Sequence, residues 1–190
     1  MKVTKEKMRE NHAAIIAAAS AEFRKHGFDG VTVAEIMKAA GQTHGSFYGH
    51  FESKEQLIED ASAHALDAAL DYWRGLVQRE PGNPLGSVAR IYLSEGLRDD
   101  ASLACAFATL GSDVVRGPKD LRALYSAKLR DYIRFLSAFV RGNSARQRRK
   151  KAITAMSQLV GAMVLARAVN DIELSNEILE ATVEEFASEP

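Results

Sequence analysis

The chain has 190 residues, 46% of them hydrophobic and 26% charged, so it is long enough for one sizeable core or for a small domain attached to a larger one. Its 25 basic and 25 acidic residues balance, which excludes a globally basic nucleic-acid-binding protein, and its single cysteine excludes an internal disulfide. The sequence shows neither a signal-peptide pattern nor an uncharged run long enough for a membrane helix. We therefore expect a cytoplasmic protein without a membrane span.

The charges are unevenly distributed along the chain. Residues 1–54 carry eight Lys or Arg against six Asp or Glu, together with four of the five histidines, whereas residues 171–190 carry seven acids and no base. This asymmetry predicts an N-terminal end that meets an anionic partner.

Helical periodicity runs through almost every long segment, and no stretch alternates as a strand does, so we predict an all-α fold of about nine helices. The first helix, about 4–26, ends at Gly27, a natural C-terminal residue for a helix. Its apolar stripe consists of Met8, Ile15, Ile16, Ala19 and Phe23.

Two short helices follow, at about 32–40 and 43–50, and the turn Gly41-Gln42 joins them. Thr32 and Glu35 have the spacing of a capping box, in which each side chain bonds the other residue's backbone amide. The box predicts the start of the first short helix.

The spacing of Ser53 and Gln56 predicts a second capping box and the start of a long helix, which ends before the break at residues 80–84. Apolar residues of this helix recur at spacings of three and four. Beyond the break, the periodicity predicts further helices near 84–97, 102–115, 118–141, 146–169 and 173–187.

The two short helices are too short to be stable alone, and across a first helix such a pair forms a helix-turn-helix, whose second helix fits the major groove of DNA. Phe47 and Phe51 share one face and should pack inward with Phe23 and Ile36. The opposite face presents Thr43, His44, Ser46, Tyr48 and His50, whose side chains can hydrogen-bond to bases or phosphates. The alternative is that this face is simply solvated.

Metal binding and catalysis are the other interpretations of the two histidines in this segment. His44 and His50 are six residues apart, which does not match the spacing of three or four that a helical metal pair needs. No nucleophile and base pairing or phosphate-binding glycine loop occurs elsewhere. We therefore predict no catalytic residue, no metal and no cofactor.

The motifs of residues 16–57 resemble the DNA-binding domain of the TetR family of transcriptional regulators. The resemblance lies in Ile16-x-x-Ala19-x-x-x-Phe23-x-x-x-Gly27-Phe28, Thr32-Val33-x-x-Ile36, Ala40-Gly41 and Gly45-Ser46-Phe47-Tyr48-x-His50-Phe51-x-Ser53-Lys54-x-x-Leu57. It implies a three-helix DNA-binding domain at residues 1–53, with the helix-turn-helix at about 32–51. Residues 54–190 would form a larger helical domain for ligand binding and dimerisation.

The resemblance also implies which residues meet double-stranded operator DNA. Thr32, Tyr48, His50 and Lys54 would bind phosphates, whereas Gln42, Thr43, His44 and Ser46 would lie towards base edges. Gln42 and Gly49 depart from the residues usual in the family, and both departures bear on which operator sequence is read.

Residues 152–169 are apolar on nearly every side, so this helix must be covered on more than one face. Such surplus apolar surface suits a two-fold interface, and TetR-family proteins pair through their last two helices, here about 146–169 and 173–187. The alternative is that both helices only complete the core of one subunit.

The predicted function is that of a dimeric repressor, released from a palindromic operator by a small, partly apolar inducer. Residues on the helices that resemble the family's pocket-lining ones are Trp73, Tyr92, Phe107, Leu110, Leu129, Tyr132 and Phe135, unless they are plain core. Two alternatives stay open. One is a redox- or electrophile-sensing repressor that works through Cys105, and the other is a helical binding protein without DNA function.

Overall fold

A computed structural model describes residues 4–187 of the chain. Over this range the protein forms nine α-helices and one 3₁₀ helix, and the described residues contain no strand. The α-helices are α1 (Lys5–His26), α2 (Val33–Ala39), α3 (Lys54–Arg79), α4 (Pro84–Tyr92), α5 (Glu95–Asp99), α6 (Ala106–Arg116), α7 (Lys119–Ser137), α8 (Ala145–Ala168) and α9 (Ile172–Ala187). The 3₁₀ helix, His44–Gly49, lies between α2 and α3, and we call it the reading helix.

The predicted all-α fold is confirmed, but the helix predicted at 84–97 is wrong because it is two helices. The chain leaves α4 at Leu93, and the Ser94 hydroxyl then accepts a hydrogen bond from the Leu97 amide at 3.4 Å to start α5. A serine at this position favours a new helix start over helix continuation. None of the described helices is long and apolar enough to cross a membrane.

The helix-turn-helix begins and ends where local sequence signals predict. The Thr32 hydroxyl accepts from the Glu35 amide, and the Glu35 carboxylate accepts from the Thr32 amide at 2.8 Å, which completes the predicted capping box. At Ser53 only half of the second box forms, because the Gln56 side chain accepts from the Glu52 amide at 2.7 Å instead of the Ser53 amide.

We call α1, α2 and the reading helix the head, and we call α4–α9 the body. Helix α3 belongs to both parts. Early residues of α3, Leu57 and Ala61, are buried against α1, whereas Leu70 and Trp73 are buried further along. The body packs α7 on α8, α8 on α9, and α9 on α4. One helix therefore contributes to the cores of both parts.

The turn between α2 and the reading helix depends on Gly41, which has a φ of 69°. The Gln42 amide donates to the Met37 carbonyl at 2.8 Å and the Gly41 amide to the Lys38 carbonyl at 3.0 Å, the two bonds of a Schellman motif. Only glycine adopts this positive φ without strain. The turn sets the angle at which the reading helix leaves α2.

We expect Gly41→Ala to lower the free energy of unfolding by about 1–2 kcal/mol, because an L side chain is strained at positive φ even though the space around it is open. The matched control is Gly111→Ala in α6, where an added Cβ also meets nothing within 4 Å and where alanine should stabilise the helix by about 0.5–1 kcal/mol. Urea unfolding followed by circular dichroism measures both variants. Equal effects of the two substitutions would contradict this account of the turn.

Candidate nucleic-acid interface

Two phenylalanines form the base on which the reading helix rests. Phe47 and Phe51 are each only 2% exposed, and their rings stack with centroids 5.6 Å apart. Phe23 of α1 and Ile36 of α2 are buried in the same core. The predicted inward packing of these four side chains is confirmed, and it turns the other side of the reading helix to solvent.

The reading helix is a 3₁₀ helix, whereas the predicted spacing assumed an α-helix. The Ser46 amide donates to the Thr43 carbonyl at 3.1 Å, and the Ser46 hydroxyl donates to the same oxygen at 2.7 Å. Gly45 and Gly49 give the segment low α-helical propensity, which is the physical reason for the difference. With three residues per turn, position 50 falls on the same side as Phe47.

His50 is consequently half-buried, and its ring lies 5.8 Å from that of His12 in α1. His12 also stacks on Phe51 at 4.7 Å. Partial burial, aided by the neighbouring His12, lowers the pKa of His50, so near neutral pH its imidazole is uncharged. His50 can therefore offer a phosphate a hydrogen bond but not a full positive charge.

The sequence interpretation did not single out His12. The signal was present, because position 12 lies four residues after Met8 and three before Ile15, on the stripe that faces the helix-turn-helix. Met8 itself is exposed, so the buried part of the stripe begins only with the next turns of α1.

Of the residues predicted at or next to the reading helix, Thr43, His44 and Tyr48 are exposed, as is Thr32 at the start of α2. The Tyr48 ring is 75% exposed and contacts only the edge of Phe47 among the aromatic rings of the described residues. The Thr43 hydroxyl makes no capping bond to the reading helix. A Cβ added at Gly45 or Gly49 would meet nothing within 4 Å, so no side chain of the described residues covers this surface.

Gln42 and Ser46 are half-buried at the edge of the same surface. Because the Ser46 hydroxyl donates its proton to Thr43, it can only accept a further hydrogen bond while that contact lasts. Gln42 holds the Schellman turn through its backbone amide, which leaves its side chain to project from the turn.

Thr32 and Lys54 come together through a contact that sequence reasoning did not predict. The Lys54 ammonium donates to the carbonyl of Val31, the neighbour of Thr32, at 2.8 Å. The N-termini of α2 and α3 thus lie close together, and their free amides favour an anion. Lys54 keeps two further donors for a phosphate, but it also has a structural role.

The Glu35 carboxylate modifies the electrostatics of this corner. Hydrogen bonds from the backbone amide and hydroxyl of Thr32 lower the pKa of Glu35, which is therefore ionised at neutral pH. The carboxylate already occupies the N-terminus of α2, so the Thr32 hydroxyl is engaged in the capping box. A phosphate at this corner would depend on Lys54 to offset Glu35.

The seven residues predicted to line a ligand pocket belong to the hydrophobic core of the body, where the five aromatic rings contact one another; we call the seven the aromatic cluster. The Trp73 ring lies 5.1 Å from Tyr132 and 5.7 Å from Tyr92, and Phe107 lies 5.4 Å from Tyr132. Tyr92, Trp73, Leu110 and Tyr132 are buried, whereas Phe107, Leu129 and Phe135 are half-buried at the edge. In this conformation the cluster is packed, and its use as a pocket stays a prediction.

Helix α6 ties the body to the head next to this cluster. The Asp113 carboxylate accepts from the Phe28 amide at 3.3 Å and pairs with Arg116. Phe28 in turn packs edge-on against Phe23 with centroids 5.5 Å apart. A Cβ at Gly27 would approach Asp113 to 2.8 Å, so glycine is needed there both for its φ of 76° and for this close approach.

Comparison with known proteins places the same segment in a defined family. Residues 15–61 match the family described as bacterial regulatory proteins, tetR family. The HTH-type transcriptional regulator TtgR of Pseudomonas putida is 35% identical over 91 residues, which are 47% of this chain and 43% of that protein. An HTH-type transcriptional repressor of Mycobacterium tuberculosis is 30% identical over 80 residues, 42% of this chain and 40% of that protein. The matched stretch thus spans less than half the length of these curated relatives.

Solved structures share the fold of the whole described chain. The reduced form of NemR from E. coli superposes with a TM-score of 0.78 at 20% identity and covers 94% of this chain and 97% of its own. Together with the match of residues 15–61 and the helix-turn-helix that this segment forms, the comparison shows that the chain carries an N-terminal domain of the tetR family of bacterial regulatory proteins on a fold that it shares with NemR.

Proposed function

We propose that this protein is a dimeric, sequence-specific DNA-binding regulator, and that it is a repressor which a small molecule releases from a palindromic operator. The observation that carries the proposal is the reading helix itself. It buries Phe47 against the head and leaves Thr43, His44 and Tyr48 exposed beside two uncovered glycines, Gly45 and Gly49. Tyr48 is 75% exposed, and its hydroxyl is a group that can donate a hydrogen bond to a phosphate.

Within this proposal, one set of residues binds phosphates and another approaches base edges. Tyr48 and Lys54 fix the position of the head on the DNA backbone, whereas Gln42, Thr43 and His44 read bases. The neutral His50 adds a hydrogen bond at the edge of the surface. Related proteins that carry the words transcriptional regulator or repressor in their names support this class of function.

A dimer follows from the exposed apolar residues of the last two helices. On α8, the positions 153, 157, 161, 164 and 168 form one stripe of three- and four-residue spacing, and Ile153 and Val164 on it are exposed, as is the adjacent Leu165. Ile172 and Leu174 are exposed on α9. An isologous contact between two copies would cover these side chains and place two reading helices about 34 Å apart, one turn of DNA.

The proposed inducer acts on the aromatic cluster and on α6. A small, partly apolar ligand that separates Phe107 from the buried rings would move α6, and Asp113 would carry that movement to Phe28 of the head. The ligand then favours the conformation in which the two heads no longer match successive grooves. The same proposal explains why the two parts are linked by a specific hydrogen bond.

The thiol-sensing alternative is less favoured because of the position of Cys105. Cys105 precedes α6 and is buried, and burial raises the pKa of its thiol. A thiol with a raised pKa carries little thiolate at neutral pH, and the thiolate is the reactive form. Reversible ligand binding therefore fits this structure better than covalent sensing.

The first test concerns the exposed tyrosine. DNA selected by the parent protein from a pool of genomic fragments should contain two half-sites, and Tyr48→Ala should weaken binding to it about tenfold, because one charge-assisted hydrogen bond at each half-site is lost. Fluorescence anisotropy at several salt concentrations gives the affinity and the salt slope.

The control for this test is Tyr72→Ala, which removes a half-exposed tyrosine from α3 outside the head and should leave DNA affinity unchanged. Tyr48 is a cleaner probe than Lys54, since a Lys54 variant also releases the Val31 carbonyl. If the parent protein selects no sequence from the pool, or if both tyrosine variants bind alike, the proposed interface is refuted.

The second test concerns the dimer. Leu165→Glu places a charge beside the exposed stripe of α8 and should shift the protein from twice the chain mass towards the monomer, because a buried unpaired charge is costly. Leu103→Glu is the matched control, since Leu103 is similarly exposed but lies outside α8 and α9. Sedimentation velocity at several concentrations measures both, and an unchanged dimer in Leu165→Glu would exclude this interface.

The third test separates ligand sensing from thiol sensing. Iodoacetamide should label Cys105 in the native protein at least about tenfold more slowly than in the urea-unfolded chain, because both burial and the raised pKa oppose reaction. Mass spectrometry follows the labelling, and DNA affinity is measured on the labelled protein. Rapid native labelling with a loss of affinity would favour the thiol-sensing alternative.

A further inference from the structure

Two arginines from distant parts of the chain meet at one cleft between head and body. Arg24 lies in the last turn of α1, and Arg167 lies in the last turn of α8. Both line a cleft of about 280 Å³, to which α6 contributes Ala108 and Thr109. The head, α6 and α8 therefore all border the same small space.

Each arginine keeps a buried nitrogen that has no hydrogen-bond partner among the described residues. These atoms are Nε of Arg24 and Nη1 of Arg167. An unsatisfied buried donor costs about 1–3 kcal/mol, and more when it is charged. Such groups are rare in native proteins, and an absent water or ion is one of the usual reasons for them.

The cleft contains cations but no carboxylate. Lys25 is its third basic residue, and no Asp or Glu lines it. Lys25 is 3.8 Å from Glu22 on the same helix, but neither Arg24 nor Arg167 forms an ion pair within the described part of the chain. The Asp100 carboxylate raises the pKa of Arg24 electrostatically but does not form an ion pair with it, since it accepts hydrogen bonds from the amide and hydroxyl of Ser102.

The electrostatics agree with an unmatched positive charge. Burial lowers the pKa of Arg24, which means that its surroundings do not fully compensate the guanidinium. The first turn of α6 presents the positive end of its helix dipole nearby, which also favours an anion.

A buried polar pair lies next to the arginines. The Tyr92 hydroxyl is buried without an oxygen or nitrogen partner in the described range, and its neighbour is the Cys105 thiol, a weak hydrogen-bonding group. Burial raises the pKa of Tyr92 well above its ordinary value, and Arg167 opposes this rise. The region between α1, α6 and α8 thus holds three buried polar groups without a full set of hydrogen bonds, namely Nε of Arg24, Nη1 of Arg167 and the Tyr92 hydroxyl.

We infer that the cleft between α1, α6 and α8 is a binding site for a small oxyanion, a carboxylate or phosphate group, held between the guanidinium groups of Arg24 and Arg167. Guanidinium forks match the paired oxygens of both anions. Val164, Ala168 and Ala108 supply apolar walls, which suit a short organic carboxylate such as butyrate better than free phosphate. Val164 and Ala168 also lie on the α8 stripe of the proposed dimer contact, so that contact borders this side of the cleft. The occupant would bridge the head and the body.

The site does not depend on the proposed DNA function, and its test uses no DNA. The full-length protein is titrated with sodium butyrate and with sodium phosphate in a calorimeter, and sodium chloride of equal ionic strength serves as the reference. We expect saturable binding of butyrate with a Kd of about 1 mM or lower. Arg24→Gln and Arg167→Gln should each raise this Kd at least about tenfold, because each removes one charged donor.

Thermal unfolding supplies a readout that separates binding from folding. Without the anion, Arg24→Gln should match or exceed the parent in Tm, because an uncompensated buried charge is removed, whereas an arginine that only supports the fold would lower Tm on removal. With 20 mM butyrate, about twenty times the expected Kd, the parent should gain a few degrees, and each variant, with a Kd at least about tenfold higher, should gain about a third of that or less.

Arg122→Gln is the matched control, since Arg122 is exposed on α7 and borders none of the cleft. It should bind butyrate as the parent does. Phosphate binding that exceeds butyrate binding but is lost in both arginine variants would assign the site to phosphate and support the inference. If neither anion differs from chloride, or if Arg24→Gln and Arg167→Gln bind as tightly as the parent, the inference is overturned.

Discussion

The continuity of α3 is the constraint on which the rest of the structure depends. With 26 residues at about 1.5 Å each, this helix is about 39 Å long and reaches from the head into the body. Leu57 and Ala61 fill the head core, and Trp73 joins the aromatic cluster of the body. Because no proline and no glycine interrupts the helix before Gly75, the head follows any rotation of the body part of α3.

Helix α6 supplies the second connection between the two parts. Its start borders the buried pair of Tyr92 and Cys105, its middle carries Leu110 of the aromatic cluster, and Asp113 near its end holds the Phe28 amide. A change at the cluster therefore reaches the head by two routes, and only the route through α6 can change without bending α3. This difference makes α6 the natural moving part in the proposed release from DNA.

Local sequence signals made the head predictable, whereas contacts between residues distant in the sequence could not be predicted. The Thr32 capping box, the turn at Gly41 and the inward pair Phe47 and Phe51 depend on neighbours within a few residues. The bond from Lys54 to Val31 spans 23 residues, and no pattern in the sequence announces it. Apolar periodicity did not predict that residues 84–97 form two helices, because it says little about a single serine cap. Nor did it predict the 3₁₀ geometry of the reading helix, because it does not register glycine content.

The same distinction explains why the arginine cleft is invisible in the sequence. Arg24 looks like an ordinary basic residue at the end of a helix, and Arg167 looks like an interruption of an apolar run. Only the packing of α1, α6 and α8 brings the two side chains to one cleft. Apolar residues of similar volume would seal such a junction at lower cost, since burying a guanidinium without a partner is unfavourable. Two uncompensated cations at the point where head and body meet are therefore better explained by an anion that occupies the cleft than by the stability of the fold.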